Sequence, residues 1–248
     1  MKAEGASVLM IGLGGLGAAA APLLATSSRI SRLTLLDDDR IDVTNLHRQP
    51  LYQVEDEGAL KVEIARRFLL DRAAEADHPL AVEAIASRLL PESALELIRG
   101  HDLVVEGADN FATKFLALDA SAISGVTCVQ AGAVRWSGWA LASSPGAGAC
   151  MRCVFEDIPD DRVDTCADAG VIGPVVGVLG ALEAALALRS LLVGDRDRRS
   201  EGELFAYDGL AGRIRQTRPK RRSGCPLCEG RIRSVEAERY VVACAPRS

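Results

Sequence analysis

The sequence predicts an α/β fold: a doubly wound, mostly parallel sheet, Rossmann-like in organisation, continued by an antiparallel part. Three observations lead to this prediction. Apolar strands alternate with helices through the first half of the 248 residues. A glycine-rich turn joins the first strand to the first helix. After about residue 125 the strands are joined by short turns instead, which is typical of antiparallel hairpins.

The parallel part consists of strands and helices that take turns along the chain. Four apolar runs predict its strands, and they are SVLMIGL, LTLLDD, AVEAIASRL and DLVVEGA. The helices that follow them are GLGAAAAPLLAT, ALKVEIARRFLLDRAAEAD, ESALELIRG and DNFATKFLALDASAIS. In the second helix Val62, Ala65 and Leu69 share one face. The fourth helix opens with Asp-Asn, a good N-terminal cap.

The antiparallel part contains two predicted pairs of strands with a long apolar helix between them. VTCVQAGAVRWSGWALASS predicts two strands joined by a glycine-containing turn, and ELFAYDGLAGRIRQTRP predicts a hairpin around DGLAG. The apolar run 171–193 is long enough to cross a bilayer. Because this run contains Pro174, three internal glycines, Glu183 and Arg189, we interpret it as a buried helix.

Composition indicates one large domain, because 48% of the residues are hydrophobic and can form a full core. We expect it to span residues 1–230, with a nucleotide-binding half to about residue 125, a second half over about 126–230, and a tail at 231–248. The net charge of −5 argues against a nucleic-acid partner. No secretory leader pattern precedes the first strand, so we expect a cytoplasmic protein that does not bind membranes.

The glycine-rich turn predicts a nucleotide site. Gly12, Gly14 and Gly17 lie between a strand and a helix, where they permit a tight turn and a close approach of the backbone to a phosphate. Unpaired N–H groups at the helix N-terminus attract the same anion. An acidic residue at the end of the next strand should hold the ribose hydroxyls, and Asp37 takes that place, with Asp39 nearby.

Polar groups at the strand ends favour ATP over NAD as the nucleotide. Asn45, Arg48, Lys61 and Asp109 follow predicted strands or begin helices, so they can meet at the carboxyl edge of the sheet. Arg48 and Lys61 together would neutralise a triphosphate. An aspartate such as Asp109 would hold Mg²⁺, which prefers carboxylate and phosphate oxygens. Each residue alone would be an ordinary surface charge, and it is the set of four that indicates a triphosphate.

Four of the seven cysteines form two C-x-x-C pairs. Cys150 with Cys153, and Cys225 with Cys228, have the spacing of a zinc knuckle, and together they would complete a tetrahedral structural Zn²⁺ site. Because the number of cysteines is odd and four of them have metal-ligand spacing, a metal site in a reducing compartment is favoured over a disulfide framework. Cys128 lies in an apolar strand and is expected in the core.

These segments together resemble the ThiF/MoeB/HesA adenylyltransferases, the bacterial relatives of ubiquitin-activating enzymes. The resemblance runs from about residue 7 to residue 229, and it is specific because six motifs occur in the family's order. They are GLGGLG, DDDRIDVTNLHRQ, a lysine after a short loop, ADN, the two C-x-x-C pairs and TCADAGVIGPVVGVLG. The runs AGVIGPVVGVLG and SGCPLCEG are most similar to ThiF itself.

The resemblance implies ATP-dependent adenylation of the C-terminal Gly-Gly carboxylate of a ubiquitin-like sulfur-carrier protein of the ThiS/MoaD type, with release of pyrophosphate. It implies that the second half of the domain docks this carrier. The ATP ligands that it assigns are Gly14, Asp37, Asn45, Arg48, Lys61 and Asp109. A C-terminal carboxyl group has a pKa of roughly 3.3–3.7, so it is already ionised at neutral pH and the reaction needs no general base.

Cys166 matches the family cysteine that forms a covalent bond to the carrier or its sulfur. It lies in a polar stretch before the apolar helix, where a free thiol is usually incidental. Neighbouring aspartates would raise its pKa, which argues against a strongly activated nucleophile. Both interpretations stay open, because some family members only adenylate the carrier and leave sulfur delivery to a persulfide donor.

We also expect a homodimer, because the long apolar helix has more apolar surface than one small domain easily covers, and the family resemblance agrees. Family members usually carry an N-terminal helix whose arginine reaches the ATP of the other subunit. The residues before the first strand do not contain it, so either the chain is a slower enzyme, or another residue or protein takes this role, or the start is incomplete. Glu106 and Lys114 stand where aspartate and arginine are common, and we expect altered metal and carrier contacts there.

Three further interpretations compete with this one. The chain would activate another ubiquitin-like protein or a peptide C-terminus, or it would be a nicotinamide-dependent oxidoreductase, or it would be a non-catalytic binding scaffold. The TNLHRQ loop and the predicted zinc site oppose the oxidoreductase. The absent N-terminal arginine arm is what motivates the scaffold.

Overall fold

The structure is a computed structural model that describes residues 5–158, 170–193 and 202–240. In these residues eight strands form one sheet, and they are Ala6–Ile11 (β1), Ile30–Leu36 (β2), Ala81–Ile85 (β3), Leu103–Glu106 (β4), Thr127–Val134 (β5), Ser137–Ser143 (β6), Leu204–Asp208 (β7) and Arg213–Thr217 (β8). Their order is β3-β2-β1-β4-β5-β6-β7-β8. The first five strands are parallel, and β6, β7 and β8 continue the sheet in antiparallel pairing.

Helices cover both faces of this sheet. The α-helices of the described residues are Gly15–Ala25 (α1), Lys61–Glu75 (α2), Pro91–Arg99 (α3), Phe111–Ser124 (α4), Met151–Phe155 (α5) and Gly173–Val193 (α6). One core lies between the sheet and α1, α2 and α6. The other lies between the sheet and α3, α4 and α5. The predicted fold class, a doubly wound parallel sheet with an antiparallel continuation, is confirmed.

The central strand β1 shows why this arrangement follows from the sequence. Val8 and Met10 point into one core, and Leu9 and Ile11 point into the other. All four are almost completely buried. A strand that is covered on both faces needs a continuous apolar run rather than an alternating pattern, and SVLMIGL provides it.

Helix α6 is long and apolar enough to cross a membrane by length and composition, over Gly173–Leu192. In the structure its inner face packs on α1, β5 and β6, as expected for a core helix. Gly180 permits the close approach to α1, because a Cβ there would lie 2.7 Å from the Cβ of Ala19. Only 44% of its most apolar stretch is buried, so the outer face of α6 stays exposed.

One turn differs from the sequence-based expectation. We expected a glycine in the turn between β5 and β6, but the turn consists of Arg135 and Trp136, and Arg135 has a φ of 53°. Gly138 lies within β6 instead. A Cβ on Gly138 would come within 2.2 Å of Leu179 on α6, so this glycine is needed for helix–sheet contact rather than for chain reversal.

Candidate active site

The carboxyl ends of β1, β2, β3 and β4 border one cleft of about 510 Å³. This is the edge at which ligands bind in open α/β sheets, beside the reversal of strand order between β1 and β4. The cleft brings together eight of the residues predicted from sequence, which are Gly12, Gly14, Asp37, Asp39, Asn45, Arg48, Lys61 and Asp109. Gly17 lies behind the turn, where a Cβ would be 2.0 Å from the carbonyl oxygen of Gly12.

The glycine-rich turn is shaped for a ligand at the start of α1. Gly12 has a φ of 84°, and a Cβ on it would lie 2.9 Å from the backbone nitrogen of Ala108. Gly14 is the N-cap of α1, and no side chain caps the helix there. The backbone N–H groups of the first turn of α1 therefore lack helical partners and can bind an anion.

Asp37 holds this turn in place from the end of β2. Its carboxylate accepts hydrogen bonds from the backbone N–H groups of Leu13, at 2.6 Å, and Asp39, at 2.8 Å. Burial raises the pKa of Asp37, and Lys61 and the two backbone donors oppose the rise. Each carboxylate oxygen keeps a second lone pair, so the contact to ribose hydroxyls that we predicted for Asp37 is sterically and chemically open to it.

Arg48 is held at the mouth of the cleft by a short 3-10 helix, Val43–Arg48. The side chain of Asp42 caps this helix by accepting from the backbone N–H of Thr44. The guanidinium of Arg48 donates to Oδ1 of Asn45 at 2.6 Å, and the backbone oxygen of Arg48 packs near Gly15. The predicted pair Asn45 and Arg48 is therefore oriented as a unit.

Lys61 is a buried cation, with 4% of its surface exposed. Its Nζ lies 2.6 Å from Oδ2 of Asp39, and its backbone N–H donates to the carbonyl oxygen of Asp39. Burying an ammonium group is costly unless a partner of opposite charge is near. Asp39 is that partner in this structure, and phosphate oxygens would be equally suitable in a complex.

Carboxylates are dense enough in this cleft to hold a cation. Carboxylate oxygens of Asp37, Asp38 and Asp39 lie within 4.8 Å of one another. Asp109, which we predicted to bind Mg²⁺, lines the same cleft but is not in that group. Mg²⁺ usually takes one or two carboxylates together with phosphate oxygens, so the donor set fits.

Glu106 and Lys114, where we expected altered metal and carrier contacts, do not line the cleft, so they can act on it only through the loop that they hold. Lys114 Nζ lies 3.1 Å from Oε2 of Glu106, and both are buried in the core beneath the cleft. Gln130 donates to the same Oε2 atom, at 3.1 Å. Glu106 also accepts from the backbone N–H of Ala108, at 2.7 Å, so this buried pair shapes the loop that carries Asp109.

The four predicted zinc ligands meet in one cluster, although 75 residues separate the two pairs. Four of the sulfur–sulfur distances are 3.5–3.8 Å, and all four ligand atoms lie within 4.8 Å of one another. A tetrahedron with Zn–S bonds of 2.3 Å has edges of about 3.8 Å. The arrangement of Cys150, Cys153, Cys225 and Cys228 therefore fits a tetrahedral zinc ion.

Arg152, between the first two cysteines, anchors this cluster to the core. It is 2% exposed, and its guanidinium forms two hydrogen bonds of 2.8 Å with the buried carboxylate of Asp119 on α4. Its guanidinium also lies over the ring of Phe115, 4.5 Å from the centroid. The hydroxyl of Tyr240 donates to the same carboxylate, and burial and Asp119 raise the pKa of Tyr240 to about 12.

Sequence reasoning missed other residues of the site. Arg88, directly after β3, pairs with Asp38 at 2.6 Å across the rim of the cleft. The rule that found Lys61 and Asp109 at strand ends would have found Arg88 too. Gln49 lines the cleft with a buried Oε1 atom that has no hydrogen-bond partner among the described residues, and such an atom suits a ligand donor. Cys166 lies outside the described residues.

Comparison with known proteins gives a family and several relatives. The sequence profile of the ThiF family matches residues 1–227. A sulfur carrier protein adenylyltransferase from Thermus thermophilus is 37% identical over 250 residues, covering 98% of this chain and 89% of that protein. The SAMP-activating enzyme E1 of Haloferax volcanii is 33% identical over 240 residues, covering 96% of this chain and 86% of that protein.

Some relatives are longer proteins, and solved structures share the fold. The adenylyltransferase and sulfurtransferase MOCS3 of Dictyostelium discoideum is 34% identical over 224 residues, covering 90% of this chain but 51% of that protein. The chain thus spans about half the length of that relative. The crystal structure of E. coli MccB with ATP superposes with a TM-score of 0.75 at 24% identity, covering 91% of this chain and 68% of that chain. At this identity the likeness shows a common fold.

The Arg152 anchor generates a stability prediction. Replacement of Arg152 by Met should lower the free energy of unfolding by about 3–5 kcal/mol, because it leaves the buried carboxylate of Asp119 without its cationic partner. Urea denaturation at neutral pH measures this change. The matched control is Arg72→Met, which removes an exposed ion pair with Glu75 and should cost less than about 1 kcal/mol. Equal stability of the two variants would contradict an anchoring role.

Proposed function

Because the chain belongs to the ThiF family, we propose that it adenylates the C-terminal glycine carboxylate of a ubiquitin-like sulfur-carrier protein of the ThiS/MoaD type at the expense of ATP. The observation that carries this proposal is the convergence of Arg48, Lys61 and the first turn of α1 on one cleft. The names of the Thermus and Haloferax relatives support a carrier-type substrate.

The reaction suits the side chains in the cleft. A carrier carboxylate oxygen forms a bond to the α-phosphorus of ATP, the bond from that phosphorus to the bridging oxygen breaks, and pyrophosphate leaves with the electron pair. The carboxylate is already ionised at neutral pH, so no side chain has to remove a proton. Arg48, Lys61 and the α1 N–H groups would orient the triphosphate and offset the charge on the leaving group.

We propose that Asp109, together with the acidic group at the end of β2, holds Mg²⁺ when ATP is bound. Asp37, Asp38 and Asp39 form that group. The cation would supply charge neutralisation on the phosphate oxygens. Asp37 would keep its second role, which is to hold the glycine-rich turn through the N–H of Leu13.

Removal of either positively charged side chain, Lys61 or Arg48, should abolish most of the adenylation activity. Lys61→Ala and Arg48→Ala should each lower carrier-dependent ATP–pyrophosphate exchange by about 10²–10³-fold, as expected when one donor to a developing charge is lost. Thermal melting should confirm that both variants fold. Arg72→Ala, an exposed position on the same helix as Lys61, is the control and should retain full exchange. Normal exchange in both cleft variants would exclude this assignment, and NADH turnover would favour the oxidoreductase instead.

We propose that the cysteine cluster binds one structural zinc ion per chain. Elemental analysis of the purified protein should find one zinc, and Cys225→Ser should lose it together with several degrees of melting temperature, because metal-binding free energy contributes to folding. Cys128→Ala provides the control, since Cys128 is buried in β5 outside the cluster. Zinc-free protein with an unaltered melting temperature would contradict the proposal.

We propose further that Cys166 forms the covalent link to the carrier that the family resemblance implies. The persulfide donor would displace AMP from the acyl-adenylate to give an acyl disulfide, and the Cys166 thiolate would then attack the carrier-bound sulfur and release the donor as its thiol. Adenylation itself needs no thiol, so Cys166→Ala should keep normal pyrophosphate exchange while sulfurated carrier fails to accumulate. Mass spectrometry after mixing enzyme, ATP, carrier and a persulfide donor tests this. An enzyme–carrier adduct that reductant releases, and that Cys166→Ala lacks, is the expected result. Full product from the variant, without adduct in either protein, would show that the enzyme only adenylates.

We propose that the exposed face of α6 is covered by a second copy of the chain. Its exposed positions repeat at helical spacing, and they are Pro174, Gly177, Val178, Ala181, Ala185 and Leu192. Sedimentation velocity at micromolar concentration should show a dimer, and Val178→Asp should shift it to monomer by burying a charge in the interface. Leu210→Asp, in the exposed β7–β8 turn, should leave the dimer intact. A monomeric wild-type protein would refute this proposal.

A further inference from the structure

Glu183 lies on the inner face of α6 and is fully buried. Its neighbours on that face, Leu179, Leu186 and Ala187, are apolar and belong to the core. Neither carboxylate oxygen of Glu183 has a hydrogen-bond partner among the described residues. Because a buried polar group without a partner destabilises a fold, an apolar residue would serve better here if the position were purely structural.

The position of Glu183 is directly behind the nucleotide cleft. Its Oε2 atom lies 3.7 Å from the point that a Cβ on Gly107 would occupy. That same point is 3.1 Å from the backbone nitrogen of Gly17, in the glycine-rich turn. The carboxyl group of Glu183 therefore lies beside the junction at which the β1–α1 turn and the β4–α4 loop meet. Both of these segments line the cleft.

The β4–α4 loop is held from the other side by Lys114 and Glu106. Glu106 accepts a hydrogen bond from the backbone N–H of Ala108. The ammonium group of Lys114 donates to both Glu106 and the carbonyl oxygen of Ala131. The strands β4 and β5 stop pairing at Glu106 and Gln130. Glu183 and Lys114 thus approach the same point of the sheet from opposite faces. Glu183 comes from α6, and Lys114 comes from α4.

The ionisable groups whose charges reach Glu183 are Lys114, Glu106 and Cys128. Neither α1 nor β6 contains an ionisable residue, and His47 and Arg48 pack at the far end of α6, near Gly173. Burial raises the pKa of Glu183 well above its ordinary value, Glu106 adds to the rise, and Lys114 and the nearby backbone of Ala131 oppose it. Glu183 therefore keeps its proton to a higher pH than an exposed glutamate does, and its ionisation would place a second carboxylate charge within reach of Lys114.

We propose that Glu183 is a positioning residue for the nucleotide cleft: its side chain fills the space behind Gly107 and so supports, from the side opposite Lys114, the loop that presents Asp109. Its effect on catalysis rests on the proposed adenylation. Its effect on the loop and on ATP binding does not depend on any carrier. Glu183 touches neither substrate nor reacting atoms.

Three variants test this proposal. Glu183→Gln keeps the shape but cannot ionise, and Glu183→Ala removes the side chain. Leu186→Ala is the matched control, because it makes a cavity in the same core one turn further along α6. Amide hydrogen exchange of residues 107–110 and calorimetric titration with Mg–ATP are the two readouts. Glu183→Ala should speed amide exchange in the loop and weaken ATP binding by about tenfold or more, since small displacements of a site are costly. Glu183→Gln should restore both, and Leu186→Ala should change neither.

Melting temperature against pH supplies the remaining test. In the unfolded chain Glu183 ionises near its ordinary pKa of 4.5, whereas in the folded protein its pKa is raised. As pH rises above about 4.5, the wild type should therefore lose stability relative to Glu183→Gln, until the pH passes the raised pKa. Leu186→Ala should follow the wild-type slope. The proposal is overturned if Glu183→Ala and Leu186→Ala behave alike in the loop and in ATP binding, or if Glu183→Gln keeps the wild-type slope. Absence of pyrophosphate exchange in the wild type would instead refute the proposed function and leave the loop readout intact.

Discussion

The cleft exists because two backbone segments approach each other more closely than side chains would allow. A Cβ on Gly17 would lie 2.0 Å from the carbonyl oxygen of Gly12, and a Cβ on Gly12 would lie 2.9 Å from the backbone nitrogen of Ala108. Gly107 completes the junction beside Gly17. These contacts bring the β1–α1 turn against the β4–α4 loop at the reversal of strand order. The helix N-terminus and the loop with Asp109 can then face one ligand.

The charges around that junction are paired in the absence of a ligand. Lys61 pairs with Asp39, Arg48 donates to Asn45, and Asp37 accepts from the backbone of the glycine-rich turn. Such pairs hold the side chains near the positions that a triphosphate would require, so little ordering is left for binding. Under the proposed function, a phosphate would replace Asp39 on Lys61, and the released carboxylate would then be available to a cation.

The sequence was sufficient to predict most of the fold and the lining of the cleft, for a specific physical reason. Strand ends in a parallel sheet share one edge, so residues that follow strands, such as Asn45, Lys61 and Asp109, can be placed together without coordinates. The family resemblance to ThiF, which rested on ordered motifs, is confirmed by the match over residues 1–227. The contact of Lys114 with Glu106 could not be predicted, because its burial depends on where β4 and β5 part.

Two buried ionisable residues, Arg152 and Glu183, show where prediction from sequence stops. Arg152 stands between zinc-type cysteines and Glu183 stands in an apolar helix, and no local pattern marks either as special. Arg152 has a full partner in Asp119, whereas Glu183 has none among the described residues, and only long-range geometry distinguishes them. A buried ionisable group is tolerable when a partner matches it, so Glu183, the unmatched group, is the one that calls for a functional explanation.

Helix α4 connects the nucleotide cleft to the cysteine cluster. Asp109 lies just before its first turn and lines the cleft, and Asn110 caps it by accepting from the N–H of Thr113. Ten residues later, which is about 15 Å along a helix, Asp119 holds Arg152 and the cysteine cluster. Helix α4 therefore carries a wall of the cleft at its N-terminus and, in its second half, the carboxylate that anchors the cysteine cluster. The nucleotide cleft and the cysteine cluster thus share one helix as their common structural support.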